Sequence, residues 1–251
     1  MNAFVIAFLS FVCLFGSALA GMTLARALPE HHLTEDSKKA IERGLAIIGT
    51  VAGLVLGLLV ASATGAYNAQ RGYVIQLSSQ IALLDRALAH YGPEAQPERA
   101  RLRLTAQRVL SEIWPQPGAP AGASAPGNRQ NEALFDQLEA LAPKNAEQTS
   151  LKGIAISMAL DLGRTRWLIY EQLASSISMP LLIMLIFWFC VTFCGIGLFA
   201  PRNATTLVGL ALCAVAITGA IFLMLEMYSP FEGLIQIPST PLQDTISRLG
   251  T

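Results

Sequence analysis

Charge is scarce in this sequence, and its gaps are more informative than its total. Charged residues make up 14% of the 251 positions, and 17 Lys and Arg balance 17 Asp and Glu. Four stretches, residues 3–24, 44–70, 172–201 and 203–225, contain no Asp, Glu, Lys or Arg. The chain lacks the basic excess a nucleic-acid binder needs, so no nucleic-acid partner is expected. With 53% hydrophobic residues it is also too apolar for a disordered chain. Cysteine is absent outside the uncharged stretches: Cys13, Cys190, Cys194 and Cys213 all lie within them. The polar part therefore has no disulfide framework and no cysteine metal cluster. Also missing are a Gly-rich phosphate loop, a His-Glu-x-x-His pair and a serine elbow. Asp85 and His90 share a helix, but nothing in the pattern sets them against a nucleophile, and no enzyme is expected.

Each uncharged stretch reaches the roughly 20 apolar residues that cross a bilayer core. In hydrocarbon the backbone must satisfy its own hydrogen bonds, so a span is a helix or part of a closed barrel. These runs are continuous rather than alternating, which selects helices. The expected fold is all-α: an integral membrane protein with four transmembrane helices and a helical-bundle extramembrane domain. Its expected parts are a first transmembrane hairpin in 1–70 (spans 3–24 and 44–67), the helical domain in 71–171, a second hairpin in 172–228, and a C-terminal tail in 229–251. Ala18-Leu19-Ala20 resembles a signal-peptide cleavage site. The start, Met1-Asn2-Ala3-Phe4, lacks the basic residues of a leader, so a retained span is expected. An even number of spans puts both termini and the 71–171 segment on one side. The charges of the short loops, Arg26, Lys38, Lys39, Arg43 and Arg202, favour those loops as cytoplasmic by the positive-inside rule.

The second span carries small residues at every fourth position: Gly49, Gly53, Gly57, Ala61 and Gly65. On a helix these form a slowly rotating groove. Glycine is a poor helix former, so its repetition implies that another backbone approaches. Two readings are open: packing against the first or fourth span of the same subunit, or crowding of neighbouring copies round a narrow pore. Ser62, with Thr50 and Thr64, adds hydroxyls to this helix. Gly16, Ala20, Gly209, Cys213 and Ala216 offer similar small surfaces on other spans. Cys190 and Cys194, one turn apart, suit packing.

The polar part is patterned as helices. Val74, Leu77, Ile81, Leu84, Leu88 and Tyr91 follow three-four spacing, which predicts one helix from the second span to Tyr91 with an a/d seam. Gly92-Pro93 ends it. A second helix, about 95–114, carries the stripe Leu102, Ala106, Val109, Ile113. Residues 115–128, rich in Pro, Ala and Gly, predict a mobile linker. A short helix around Leu134, Leu138 and Leu141 follows. The last polar helix has the stripe Leu151, Ile154, Met158, Leu162, Thr165, Ile169 and is expected to continue into the third span.

Two polar clusters are candidate sites. His31 and His32, with Glu30, Glu35 and Asp36, suit a divalent cation or pH sensing. The same residues also suit a helix start, with Thr34 as cap and Glu35 and Asp36 at the positive end of the dipole. Glu226 closes the fourth span and Glu232 follows. They suit either a salt bridge from Glu226 to Arg71 or Arg166, or a carboxylate ring at a pore mouth that enriches cations.

Several segments resemble the bacterial bestrophin-like family of membrane proteins. They are Gly57-Leu58-Leu59-Val60-Ala61-Ser62-Ala63, Leu84-Asp85-Arg86-Ala87-Leu88, Tyr91-Gly92-Pro93-Glu94-Ala95, the arginine-rich 99–103, Trp114-Pro115, Pro230-Phe231-Glu232-Gly233-Leu234-Ile235 and Pro241-Leu242. The resemblance spans most of the chain apart from the linker. It implies similarity to bestrophins, pentameric ion channels with four spans per subunit, a pore-lining second helix and a cytosolic helical domain. It thereby places the helical domain and both termini in the cytoplasm of a bacterial inner membrane, against the lean of the loop charges. Bestrophins narrow the pore with aliphatic and aromatic side chains. The matching helix here is glycine-rich, so no neck residue carries over, and no acidic cluster matches their calcium clasp.

The resulting expectation is a homo-oligomeric, cation-leaning channel with the second span at the pore and lipid, permeating ions and its own copies as partners. No cofactor is expected beyond a divalent cation at the histidine cluster. A membrane-anchored scaffold that binds a soluble partner is the alternative. A transporter fits less well, because no inverted repeat or broken helix pair is present.

Overall fold

The structure is a computed structural model, and it describes residues 3–29, 35–114, 128–174, 178–231 and 233–250. Eight α-helices follow in order among the described residues: α1 (Ala3–Ala27), α2 (Glu35–Tyr91), α3 (Gln96–Ile113), α4 (Asn128–Ala140), α5 (Ala146–Ala174), α6 (Met179–Phe199), α7 (Ala204–Met227) and α8 (Thr240–Arg248). A single 3-10 turn, Pro93–Ala95, precedes α3, and no strand occurs among the described residues. The all-helical expectation holds. Four of the helices, α1, α2, α6 and α7, are long and apolar enough to cross a membrane.

The chain divides into two compact units. Unit 1 comprises Met1–Gly65 and Ser176–Tyr228; unit 2 comprises Ala66–Ser175 and Ser229–Thr251. Helix α2 contributes to both. Its 57 residues correspond to roughly 85 Å at 1.5 Å per residue, nearly three times a bilayer core. It starts at Glu35, with Glu35 and Asp36 in the first turn, where carboxylates face the positive end of the dipole. Thr34, the expected cap, lies outside the described residues, as does the linker up to residue 127.

In unit 1, α1 packs on α6 and α7. The α1 face turned inward is Ile6, Ser10, Leu14, Ala18, Gly21 and Met22. Here the backbones come very close. A Cβ added at Gly21 would collide with the Cys194 carbonyl, and one at Gly197 with the carbonyl of Ala18. Between α6 and α7 the chain turns at Pro201, as expected. The Asn203 side chain caps α7 by accepting from the Thr206 N–H at 2.8 Å, which satisfies one of the otherwise orphaned amides.

In unit 2 the predicted seams become the core. Val74, Leu77, Ile81, Leu84, Leu88 and Tyr91 are all buried, together with Leu102, Ala106, Val109, Ile113, Leu134, Leu138 and Leu141. The α2 seam is covered by its own chain, so its heptad spacing marks a bundle core and not a coiled coil between chains. The α5 stripe is shifted: Ala155, Leu162, Thr165 and Ile169 are buried, whereas Ile154 is exposed. Ala155, Leu162 and Ile169 are seven residues apart, so the buried heptad position falls on 155 and not on 154.

Two expectations are corrected. Helix α5 does not run into α6: it ends at Ala174, and α6 starts after Ser178, whose backbone is extended. Pro180 lies in the first turn of α6, where its missing N–H costs nothing and its fixed φ suits a helix start. The segment after α7 is more than a tail. Phe231, Ile237, Leu242, Ile246 and Leu249 join the unit 2 core. The Trp114 indole N–H donates to the Ile237 carbonyl at 2.9 Å, and its ring meets Phe231 edge-on at 5.1 Å between centroids.

Candidate functional site

The small-residue face of α2 is the first candidate. Inside unit 1, α2 turns Leu45, Ala52, Leu56 and Ala63 toward its neighbours. Gly53, Gly57, Ala61, Ser62 and Gly65 face away and are exposed. A side chain added at Gly53, Gly57 or Gly65 would meet no atom within 4 Å. Only Gly49, the first of the series, stands at an intrachain contact, with Thr192 Cγ2 3.7 Å from its Cβ position. Packing within the subunit therefore does not use the groove; the α1–α6 crossing uses other small residues. Leu54 and Leu58, 70% and 71% exposed, flank the stripe. Thr50 and Thr64 donate to the carbonyls of Ala46 and Val60 on their own helix, so those hydroxyls are already engaged. Beside Gly49, a cleft of about 540 Å³ runs along Leu45, Ala46, Ile196 and Phe199, with Lys38 and Glu42 as its charged lining residues.

Within unit 2, α2 also has an uncovered face. Asn68, Gly72, Ile75, Ser79, Leu83 and Arg86 follow at spacings of three and four, and Ile75 and Leu83 are half or more exposed. In unit 1 the uncovered face of α2 is made of small residues; in unit 2 it is aliphatic to polar.

The acidic candidates are less coherent. Glu226 is buried at the end of α7, 6% exposed, and has an interaction partner. Arg166 pairs with Glu112, Nη2 to Oε2 at 2.7 Å. The Tyr170 hydroxyl donates to the same carboxylate oxygen at 3.0 Å. Burial, and then the Glu112 carboxylate, push the Tyr170 phenol above its ordinary value. Glu232, His31 and His32 lie outside the described residues. Glu35 and Asp36 are exposed. No group of three or more His, Cys, Asp or Glu able to hold a metal occurs among the described residues.

Sequence reasoning missed a buried ion pair in unit 2. Arg99 Nε and Nη2 donate to Asp85 Oδ1 and Oδ2 at 2.8 and 2.9 Å. Both side chains are about nine-tenths buried. The carboxylate holds the Arg99 guanidinium above its ordinary value, the direction expected when a partner favours the charged form. The spacing of fourteen residues across a turn hid this pair, although both residues lie in segments that carry the family resemblance.

This architecture defines an all-helical membrane protein with four spans and a second compact helical unit built on its longest helix. A Bestrophin-like domain family model matches residues 12–242, and the chain belongs to that family. A solved structure of a bacterial bestrophin homologue from Klebsiella pneumoniae, a point mutant, superposes with a TM-score of 0.72 at 13% identity, covering 96% of each chain. At that identity the likeness is one of fold. No curated protein matches the sequence.

Proposed function

We propose that this protein is a homo-oligomeric ion channel in which the outward stripe of α2, from Gly49 to Gly65, borders the conducting path. Membership in the Bestrophin-like family supports a channel. The observation that carries the assignment of α2 is the glycine face left uncovered by its own subunit. In lipid no hydrophobic force draws helices together, so bare backbone is matched by close neighbours. Copies of α2 around an axis supply those neighbours. A constriction of that kind opens and closes through small helix shifts. The family resemblance favours five copies, a bacterial inner membrane, and a cytoplasmic location for unit 2 and both termini.

Cations are the proposed permeant class, from Glu226 and Glu232. Because Glu226 is buried within its own subunit, its charge reaches the path through the field and not by direct contact. Glu226→Gln should therefore shift the reversal potential only modestly. Purified protein in liposomes should pass ions in a flux assay. Absence of flux across pH, calcium and voltage overturns the channel. Flux retained at wild-type level in both Gly53→Leu and Gly57→Leu removes α2 from the path.

A further inference from the structure

Unit 2 leaves a second helix face uncovered besides that of α2. On α5 it runs through Gly153, Leu160, Trp167 and Glu171, as on α2 it runs through Gly72, Ile75, Ser79 and Leu83. Ile75, Leu83, Leu160 and Trp167 are each half or more exposed. On both helices the opposite face carries the seam that joins the unit 2 core: Leu77, Ile81 and Leu84 on α2, Leu162 and Ile169 on α5. The two uncovered faces therefore look away from the shared core, and neither can cover the other within a subunit. Leu83 lies about 18 Å beyond Arg71 along α2, past the headgroup layer. Rows of aliphatic and aromatic side chains left in water mark an interaction surface. Two hydrogen bonds fix the relative heights of the helices. Gln70 Nε2 donates to the Ile169 carbonyl at 3.1 Å, and Gln148 Nε2 donates to the Tyr91 carbonyl at 2.9 Å. Tyr91 lies 21 residues after Gln70, and Gln148 lies 21 residues before Ile169, so α2 and α5 run antiparallel without slipping. Gly72 is then level with Trp167, Ser79 with Leu160, and Ile75 with Arg164 beside Gly163. Small residues on one helix stand level with large ones on the other. A Cβ added at Gly72, Gly153 or Gly163 would meet no atom within 4 Å, so the subunit does not fill that room itself. Arg71 and Glu171 are exposed and lie within three residues of one level, and neither has an ion-pair partner among the described residues.

We infer that in unit 2 the α2 face of one copy docks on the α5 face of the next, with Leu160 against Ser79 and Trp167 against Gly72. This rests on the homo-oligomer proposed above, in which α2 runs along the axis. Rotation about such an axis leaves heights unchanged, so the register inside a subunit is also the register between subunits. Because the two faces differ, the contact is head-to-tail, the kind that closes a ring. Trp167, set into the gap at Gly72, is the anchor of this interface. Arg71 and Glu171 bring opposite charges together at its end nearest the uncharged run of α2.

The test is disulfide cross-linking of the full-length protein in mild detergent, since unit 2 has no cysteine of its own. Ser79→Cys combined with Leu160→Cys, oxidised with copper phenanthroline, should give a ladder of covalently linked subunits on a denaturing gel. Either substitution alone should not. Ser79→Cys combined with Gly153→Cys should not either, because Gly153 is about 10 Å off level and a disulfide needs Cα atoms within about 7 Å. All of these positions are exposed, so the subunit should fold in each variant. In the assembled protein, Ser79→Cys should also escape a water-soluble maleimide that labels Arg103→Cys on the outer face of α3. No ladder from the level pair, an equal ladder from the off-level pair, or full labelling of Ser79→Cys overturns the interface. The ladder without ion flux counts against the channel alone; flux without the ladder counts against this interface alone.

Discussion

Unit 1 and unit 2 are both helical and both bury large apolar side chains, yet they differ in what makes their closest contacts and what they leave outside. Unit 2 is closed by large aliphatic side chains: Leu77, Ile81, Leu84, Leu88, Leu102 and Leu138 are essentially inaccessible, and Arg101, Arg103 and Arg108 lie outside. Unit 1 also buries large side chains, Leu14, Leu185 and Ile221 among them, but adds close backbone contacts and an apolar exterior. Its tightest crossing is made by Ala18, Gly21 and Gly197, while Phe8, Leu54, Leu58, Ile183 and Leu212 point outward. The solvent explains the difference. In water, burying apolar area stabilises by about 25 cal/mol per Å², so large side chains go inward. In hydrocarbon a leucine gains nothing by leaving the surface, and close backbone contact through small residues replaces it.

The largest expected effect comes from adding one methyl group to the unit 1 crossing. Gly21→Ala and Gly197→Ala each drive a Cβ into a backbone carbonyl, which no rotamer change relieves. The cost should be at least about 3 kcal/mol, seen as lost monodisperse protein or a lower melting temperature in detergent. Gly53→Leu and Gly57→Leu add far more volume but meet no atom of their own subunit. Their subunits should fold normally, while assembly measured by mass photometry, or conductance, is lost. Equal damage from both pairs would erase the distinction between the crossing inside the subunit and the face outside it.

In unit 2 the seam should respond as a water-facing core does. Leu84→Ala or Leu88→Ala, at fully buried positions, should cost about 2–5 kcal/mol, read by denaturant or thermal unfolding. Arg99→Ala strands a largely buried Asp85 and should cost about 2–4 kcal/mol. Adding Asp85→Ala to it should restore part of that loss, and a purely additive double mutant would show that the pair is not coupled.

The smallest effect concerns Tyr91. Burial first, then the nearby Glu94 carboxylate, raise its phenol above the ordinary value of 10.0. The folded state therefore holds this proton after the unfolded chain has released it. Stability is unaffected below pH 10 and declines as pH climbs from there through the raised value. The Tyr91 hydroxyl is buried without a hydrogen-bond partner among the described residues. Tyr91→Phe should therefore be neutral or slightly stabilising and should flatten the alkaline loss. A steeper loss in the variant contradicts the assignment.

Several features were legible in the chain because each rests on local periodicity. The four apolar stretches, the continuous helix from the second span to Tyr91 and the stripe Leu102, Ala106, Val109, Ile113 all express a pattern written within one segment. The misses involve partners distant in sequence. Gly21 and Gly197 look no more special than Gly16 or Gly209 until α1 and α6 are laid together. Asp85 and Arg99 read as ordinary surface charges until the Gly92 turn, with its positive φ of 124°, folds α3 back on α2. The α8 segment, nine residues long, is too short to announce itself.

The sequence by itself determined that this chain is a four-span helical membrane protein, since hydrocarbon solvent tolerates little else over such uncharged lengths. It also determined where unit 2 would be apolar, since helical period decides which side chains share a face. Only the tertiary structure decided which small residues are spent inside the subunit and which are left uncovered on α2. That choice depends on how helices cross, and a crossing is a property of two surfaces that no single segment encodes.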